Sequence, residues 1–259
     1  MITKVINYIR RRGASIPYYA VNPIKSDFRK AFGYFLYGDG IEIGALHQPL
    51  SLRGTRVRHI QYVDRMPVVQ LRNHYPELSS YELVQVDIID NGETLSAINE
   101  NSLDFIIANH FIEHTRNPIG TIQTWISKLR VGGIIYMAIP DKRYTFDVGR
   151  PLTKIEHLIE DAQLSDEARR EIDIEHYREY AACVDKKTGH EYEQHVKNLV
   201  SSDYSIHFHT FIGECFVELI KYLQMGKKGS LSLVGYADTV KGNDEFIVIL
   251  SKGGLTFDS

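Results

Sequence analysis

Five short apolar runs, Gly40–Gly44, His59–Asp64, Tyr81–Asp87, Leu103–Asn109 and Gly133–Pro140, recur along the first part of the chain. Several are separated by segments long enough to form a helix, Pro67–His74 and Pro118–Leu129 among them. Strands joined by helices of this length lie side by side in the same direction, so the spacing predicts a βα alternation and a mostly parallel sheet.

Beyond Pro140 the pattern changes. Leu152–Val200 is charged and helical in character, carries no strand signal, and is too long for a bare loop. A helical cap over 151–205, inserted after the fifth strand, is the expectation. A helix over Ile212–Tyr222 and strands over Ser230–Tyr236 and Glu245–Ser251 would close the fold, with a hairpin turn at Gly242-Asn243-Asp244. Ahead of the first strand, Phe28, Phe32 and Phe35 recur at helical spacing within Ser26–Leu36, marking a helical extension over 1–38. At 259 residues, one domain spanning 1–259 is favoured over two.

Composition excludes several classes. With 43% hydrophobic and 24% charged residues and no long apolar run, neither disorder nor a membrane span is expected. A net charge of −3 provides no field to gather nucleic acid, which favours a small-molecule or glycan acceptor. Arg10, Arg11 and Arg12 are not followed by an apolar signal core, so cytoplasmic residence is expected. Cys183 and Cys215 have neither zinc-site spacing nor disulfide density and read as core thiols.

Ligands of an open parallel sheet bind at the carboxyl ends of its strands, where strand order reverses. Four of the five predicted strands end in polar or special residues: Glu42-Ile43-Gly44, Asp64, Asp87 and Asn109-His110. Gly44 would let backbone approach a ligand. Asp64 follows Glu42 by 22 positions, the placement of a carboxylate that accepts hydrogen bonds from ribose hydroxyls. The bland alternative is that Glu42 and Asp64 cap helices or face solvent. A dinucleotide would need G-x-G-x-x-G to cradle its pyrophosphate, whereas Gly44 is followed by Ala45-Leu46-His47-Gln48-Pro49. A cofactor without phosphates has no such need.

The segments GIEIGALHQPL, YVDRMP, VQVDIID, DFIIANHFIEH, LRVGGIIYMAIPDKRYTFD and HFHTF resemble class I S-adenosylmethionine-dependent methyltransferases of the type 11-like kind. More narrowly, they resemble a bacterial subgroup associated with surface-polysaccharide and glycan biosynthesis. The resemblance runs through residues 38–150 and resumes at HFHTF and the closing strands. It implies a Rossmann-like α/β fold with a seven-stranded, mostly parallel sheet whose last strand is antiparallel, and S-adenosyl-L-methionine as cofactor. It also implies that Glu42, Gly44 and Asn109 lie beside the methionine moiety, Asp64 on the ribose, Asp87 with Ile88 around the adenine, and Ala45 among the cofactor-binding residues. Ala45 and His47 stand where the commonest motif has further glycines.

Methyl transfer to a hydroxyl, such as that of a sugar, benefits from a base, and His110, Asp141, His207 and His209 are the candidates. His110-Phe111-Ile112-Glu113-His114 also matches the H-x-x-E-H pattern of some zinc proteases, but it follows a strand directly instead of lying within a long helix. No ligand spacing marks a metal site, so none is expected. His207 and His209 flank Phe208 and, if extended, would point to one side. Arg143 and Tyr144, overhanging the fifth strand, and His176 and Tyr177, in the cap, suit a polar acceptor held by charged hydrogen bonds and ring stacking. A partly buried histidine pair and an exposed loop are the plain alternatives. A non-catalytic cofactor-binding scaffold and an NAD-dependent sugar enzyme are the competing functions; oligomeric state is not legible.

Overall fold

The computed structural model describes residues 28–225, 231–240 and 242–253. Of the extension expected over 1–38, residues 1–27 lie outside the described residues; helix α1 (Phe28–Gly33) and the start of strand β1 (Tyr37–Ile43) form its described end. Then follow β2 (Arg56–Asp64), α2 (Val68–His74), β3 (Ile88–Ile89), β4 (Leu103–Asn109), α3 (Pro118–Lys128) and β5 (Leu129–Pro140). Helices α4 (Ile155–Asp161), α5 (Asp166–Cys183) and α6 (Gly189–Ser201) precede α7 (Gly213–Met225), β6 (Leu231–Ala237) and β7 (Glu245–Lys252).

The strands form one sheet of order β3-β2-β1-β4-β5-β7-β6. All neighbours pair in parallel except β7, which runs antiparallel to both β5 and β6. This is the expected seven-stranded α/β arrangement. Strand order reverses between β1 and β4, which places the binding crevice above Glu42 and Asn109.

Strand β5 is buried nearly throughout, as a central strand covered on both faces must be. Its alternate side chains divide the core. Ile134, Tyr136 and Ala138 join Phe105, Ile107 and Ile249 on the face covered by Phe28 and Phe32 of α1. Ile135, Met137 and Ile139 join Ile106 and Val248 under α3 and α7. Helix α7 presents Phe216, Leu219, Ile220 and Leu223 to that core at the spacing of one helical stripe. Helix α3 begins where Asn117 accepts a hydrogen bond from Gly120 N at 2.9 Å and Pro118 supplies the first turn. It buries Trp125 completely, with Nε1 donating to Gly92 O at 2.7 Å. Gly40 is required by packing: a Cβ there would lie 2.3 Å from Phe105 O, so only glycine lets β1 close on β4.

Two expectations need correction. The third strand is not Tyr81–Asp87 but the two-residue Ile88–Ile89. Leu83 packs with Leu71 and Leu78 in a satellite cluster under α2, and that burial, not a ladder, explains the apolar run. Cys183 and Cys215 are free thiols at intermediate exposure, not core residues. The turn expected at 242–244 lies within the connection between β6 and β7, with Gly242 at φ +92°.

The chain leaves the sheet at Asp141 and returns beside the point of departure. Asp141 bridges Phe211, Lys142 N donates to Phe211 O at 2.9 Å, and Thr153 N donates to Thr210 O at 3.1 Å. Between these points α4 joins the main core through Leu158, while α5, α6 and the returning segment share their own apolar cluster of Tyr177, Ala181, Val196, Leu199, Ile206 and Phe208. Among the described residues, no helix is long and apolar enough to cross a membrane.

Candidate active site at the sheet edge

Glu42 is fully buried at the end of β1. Its two carboxylate oxygens accept from Leu50 N at 3.0 and 3.1 Å, and Asn109 Nδ2 donates to it at 3.3 Å. Burial pushes its pKa up to about 7, against the opposing pull of these donors and of Arg29. Asn109 Oδ1 is buried without a hydrogen-bond partner. The pair therefore offers an anion-capable carboxylate and an unused acceptor at the switch point, both suited to an ammonium group. Gly44 adopts φ +64°, a left-handed turn that glycine makes without strain. Ala45 O accepts from Gln48 N at 2.9 Å, closing the turn that follows.

Asp64 ends β2, one strand away. Its carboxylate accepts from Arg65 N at 2.7 Å, and burial pushes its pKa up to about 6. Asp87 stands before β3, not at its end, and its carboxylate accepts from Tyr62 N at 2.8 Å; Ile88 pairs with Val63. The carboxylate that does follow β3 is Asp90, which sequence reasoning missed because it set the strand too early. Asp90 accepts from Ser96 Oγ, Ala97 N and Asn91 N, so its role is to fold the 91–97 loop.

His110 follows β4 with φ +48°, a conformation unusual for a side-chain-bearing residue. Its Nε2 lies 2.9 Å from Glu245 Oε2, and its side chain is 37% exposed. Glu245 is clamped by Arg29 through Nε at 2.7 Å and Nη2 at 2.5 Å. Burial pulls the His110 pKa down, but the Glu245 hydrogen bond and the charges of Glu113 and Glu245 carry it above the ordinary value. Burial would raise the pKa of Glu245, yet His110 and Arg29 hold it down at about 2. Glu245 was also missed. Because β7 is antiparallel, its first residue pairs with Pro140 at the carboxyl edge of the parallel strands.

The other predicted bases are placed differently. Asp141 is fully buried and gripped by Arg143, with Nη2 at 2.6 Å and Nε at 2.9 Å; although burial opposes it, this grip keeps the carboxyl below its ordinary pKa. An ionised carboxylate so engaged is a poor base, and the same contact occupies the guanidinium offered for an acceptor. Tyr144 is 50% exposed, with the Arg143 guanidinium carbon 5.6 Å from its ring centroid. His207 and His209 do not converge, because the chain bends at Phe208-His209. His207 Nδ1 meets Asp147 Oδ2 at 2.6 Å, and its Nε2 stands 3.9 Å from Glu113 Oε1. His209 is fully buried beside α4 and α5, out of contact with solvent.

Residues 112–114 form a single 3-10 turn, so the H-x-x-E-H pattern does not build the helical protease site. Glu113 is 1% exposed with neither oxygen hydrogen-bonded; His114 Nε2 is 3.9 Å away. His114 Nδ1 contacts Ile206 O at 2.8 Å, and burial, then His207, lowers its pKa to about 3. In α5, Tyr177 is 2% exposed and donates to Tyr204 O at 3.0 Å, which places it in the cap's own core instead of at an acceptor surface. His176 lines a cleft of about 440 Å³ with His157 and Arg150. Among the described residues, two groups of side chains could hold a metal ion: His157, Asp161, His176 and His209, and Glu113, His114 and His207. No sequence spacing marked either, because each draws on elements distant in the chain.

No family model matches the chain, and no curated protein matches it. Among solved structures, a candidate Zn-dependent alcohol dehydrogenase from Rhodobacter sphaeroides is similar at TM-score 0.53 and 14% identity, over 88% of this chain and 90% of that one. An S-adenosylmethionine-dependent methyltransferase from Clostridium acetobutylicum ATCC 824 is similar at TM-score 0.46 and 10% identity, over 98% of both chains. The plantazolicin methyltransferase BamL, in complex with a triazolic desmethylPZN analog and SAH, is similar at TM-score 0.45 and 12% identity, over 97% of this chain and 91% of that one. At such identities the first likeness is one of fold, and TM-scores below 0.5 give the other two no weight.

Proposed function

We propose that the protein is an S-adenosylmethionine-dependent methyltransferase that acts on a hydroxyl of a sugar or glycan-related acceptor. The observation that carries the reading is the set of Glu42, Gly44 and Asn109 at the reversal of strand order, with Asp64 ending the neighbouring strand. A buried carboxylate and an unused amide oxygen suit the ammonium of a methionine moiety, and Asp64 suits a ribose diol. The absence of a phosphate cradle after Gly44 argues against a dinucleotide.

When bound, the cofactor supplies an electrophilic methyl group on a sulfonium. The protein's own task is alignment and proton removal. With the Glu245 carboxylate accepting from His110 Nε2–H, Nδ1, 4.0 Å from Glu113 Oε1, is the ring nitrogen that would take the acceptor's hydroxyl proton. The carboxylate behind the ring stabilises the imidazolium that forms. Tyr144 supplies a ring face for the acceptor, and the sugar preference rests on that polar and aromatic rim together with the sequence resemblance.

Calorimetry with S-adenosylmethionine and S-adenosylhomocysteine tests the reading. Asp64→Ala is expected to weaken both by roughly 10–100-fold, the worth of hydrogen bonds to a charged group. A folded wild type that binds neither ligand sinks the proposal. Binding without turnover on any glycan acceptor would favour the non-catalytic scaffold.

A further inference from the structure

Away from the sheet edge, three imidazoles and one carboxylate meet between α4, α5 and the returning segment 206–211. His157 and Asp161 stand one turn apart on α4, His176 comes from α5, and His209 from the returning segment. One ligand-capable atom from each lies within 4.8 Å of all the others. We propose that His157, Asp161, His176 and His209 bind a divalent first-row transition ion, zinc in the first instance, which pins α4 and α5 to the 206–211 segment.

Two buried groups at this point are unpaired. His209 is fully buried with neither ring nitrogen hydrogen-bonded, and Asp161 Oδ2 is likewise without a partner. Leaving such buried polar atoms unsatisfied is costly, and an ion between them would satisfy them together. Asp161 Oδ2 stands between His157 Nε2 at 3.3 Å and His209 Nε2 at 3.7 Å, and whichever tautomer His209 adopts, its other ring nitrogen is left without a partner. A cation serves all four donors at once. Three imidazole nitrogens and one carboxylate oxygen suit zinc or its neighbours, whereas calcium and magnesium favour all-oxygen shells. Four protein ligands complete a tetrahedron, the pattern of an ion that holds structure. His157 and His176 also line the cleft beside the site, which gives the ion a path inward. The second group, Glu113, His114 and His207, offers three donors and would leave the fourth position open, so substitution within it tells the two groups apart.

The test uses the full chain, stripped with a chelator and titrated with Zn²⁺ and with Co²⁺. One ion per chain is expected, with visible d–d absorption for Co²⁺ in four-coordination and a melting temperature that rises with either ion. Asp161→Asn, nearly isosteric, and His157→Ala, at a 38% exposed side chain, should abolish the cobalt bands. They should weaken binding by more than the roughly 10–100-fold that losing an outer hydrogen-bond partner of a metal ligand costs. Glu113→Gln, a nearly isosteric change in the second group, should change neither readout. Binding of S-adenosylmethionine, followed in the same samples, keeps this outcome separate from that of the methyltransferase reading. Folded protein that takes up neither ion overturns the assignment. So does affinity unchanged by both substitutions, or loss of binding on Glu113→Gln.

Discussion

The sheet edge and the inserted helices both gather polar side chains, but by different routes. At the edge, each residue follows a strand, so its position is set by a few residues of local sequence and by one register shared across neighbours. In the insertion, His157, His176 and His209 reach one another only after α4, α5 and the returning segment have docked. The edge stands on a large core covered on both faces. In the insertion, α4 joins that core through Leu158, whereas α5 and α6 rest on a smaller cluster of their own. A site of the first kind can be read along the chain; one of the second kind emerges from tertiary structure.

The largest effect expected at the edge is on rate. His110→Ala should lower methylation by roughly 100- to 10,000-fold, the range for removing a general base, while calorimetric binding of the cofactor stays within a few-fold. An unchanged rate would move the proton transfer elsewhere and leave the edge as a binding surface only.

Trp125→Ala probes the support under the edge. Emptying this fully buried position should cost about 3–5 kcal/mol, measured by denaturant unfolding. Hydrogen exchange should show the loss in β4, β5 and β7, with the lower protection of α5 and α6 unaltered. If α5 and α6 lose protection in step with the sheet, the two regions form one cooperative unit and the contrast fails.

A subtler change sharpens the role of Glu245. His110 has a pKa above its ordinary value and must be neutral to act as a base, so activity should rise as pH increases through that raised value. Glu245→Gln removes the anion that favours the imidazolium, so the acidic limb of kcat/KM should move to lower pH. A limb that stays in place would show that another group titrates.

Much of the edge was legible because strand ends are local features: Glu42, Gly44, Asp64 and Asn109 were all found from apolar runs and their polar stops. Asp90 was missed because Leu83 and Val86 mimic a strand while serving a satellite cluster. Glu245 was invisible for another reason: its place at the edge depends on β7 running against its neighbours, which only the assembled sheet displays. Asp141 was misjudged because the Arg143 side chain, two residues on, turns back to grip it. His157 and Asp161 share a helix face, but their partners lie in other elements, and no spacing joins them.

The place where the chain leaves β5 and returns has a wider consequence. Asp141 and Lys142 meet Phe211 directly, so everything between them departs and re-enters through one doorway. A loop whose ends already touch adds length cheaply, about 0.6 kcal/mol for each doubling, and leaves the pairing of β5 with β4 and β7 untouched. The seven-stranded frame thus works as a socket: the helical module between Asp141 and Phe211 can change in length and content while the strand pairing beneath it stays the same.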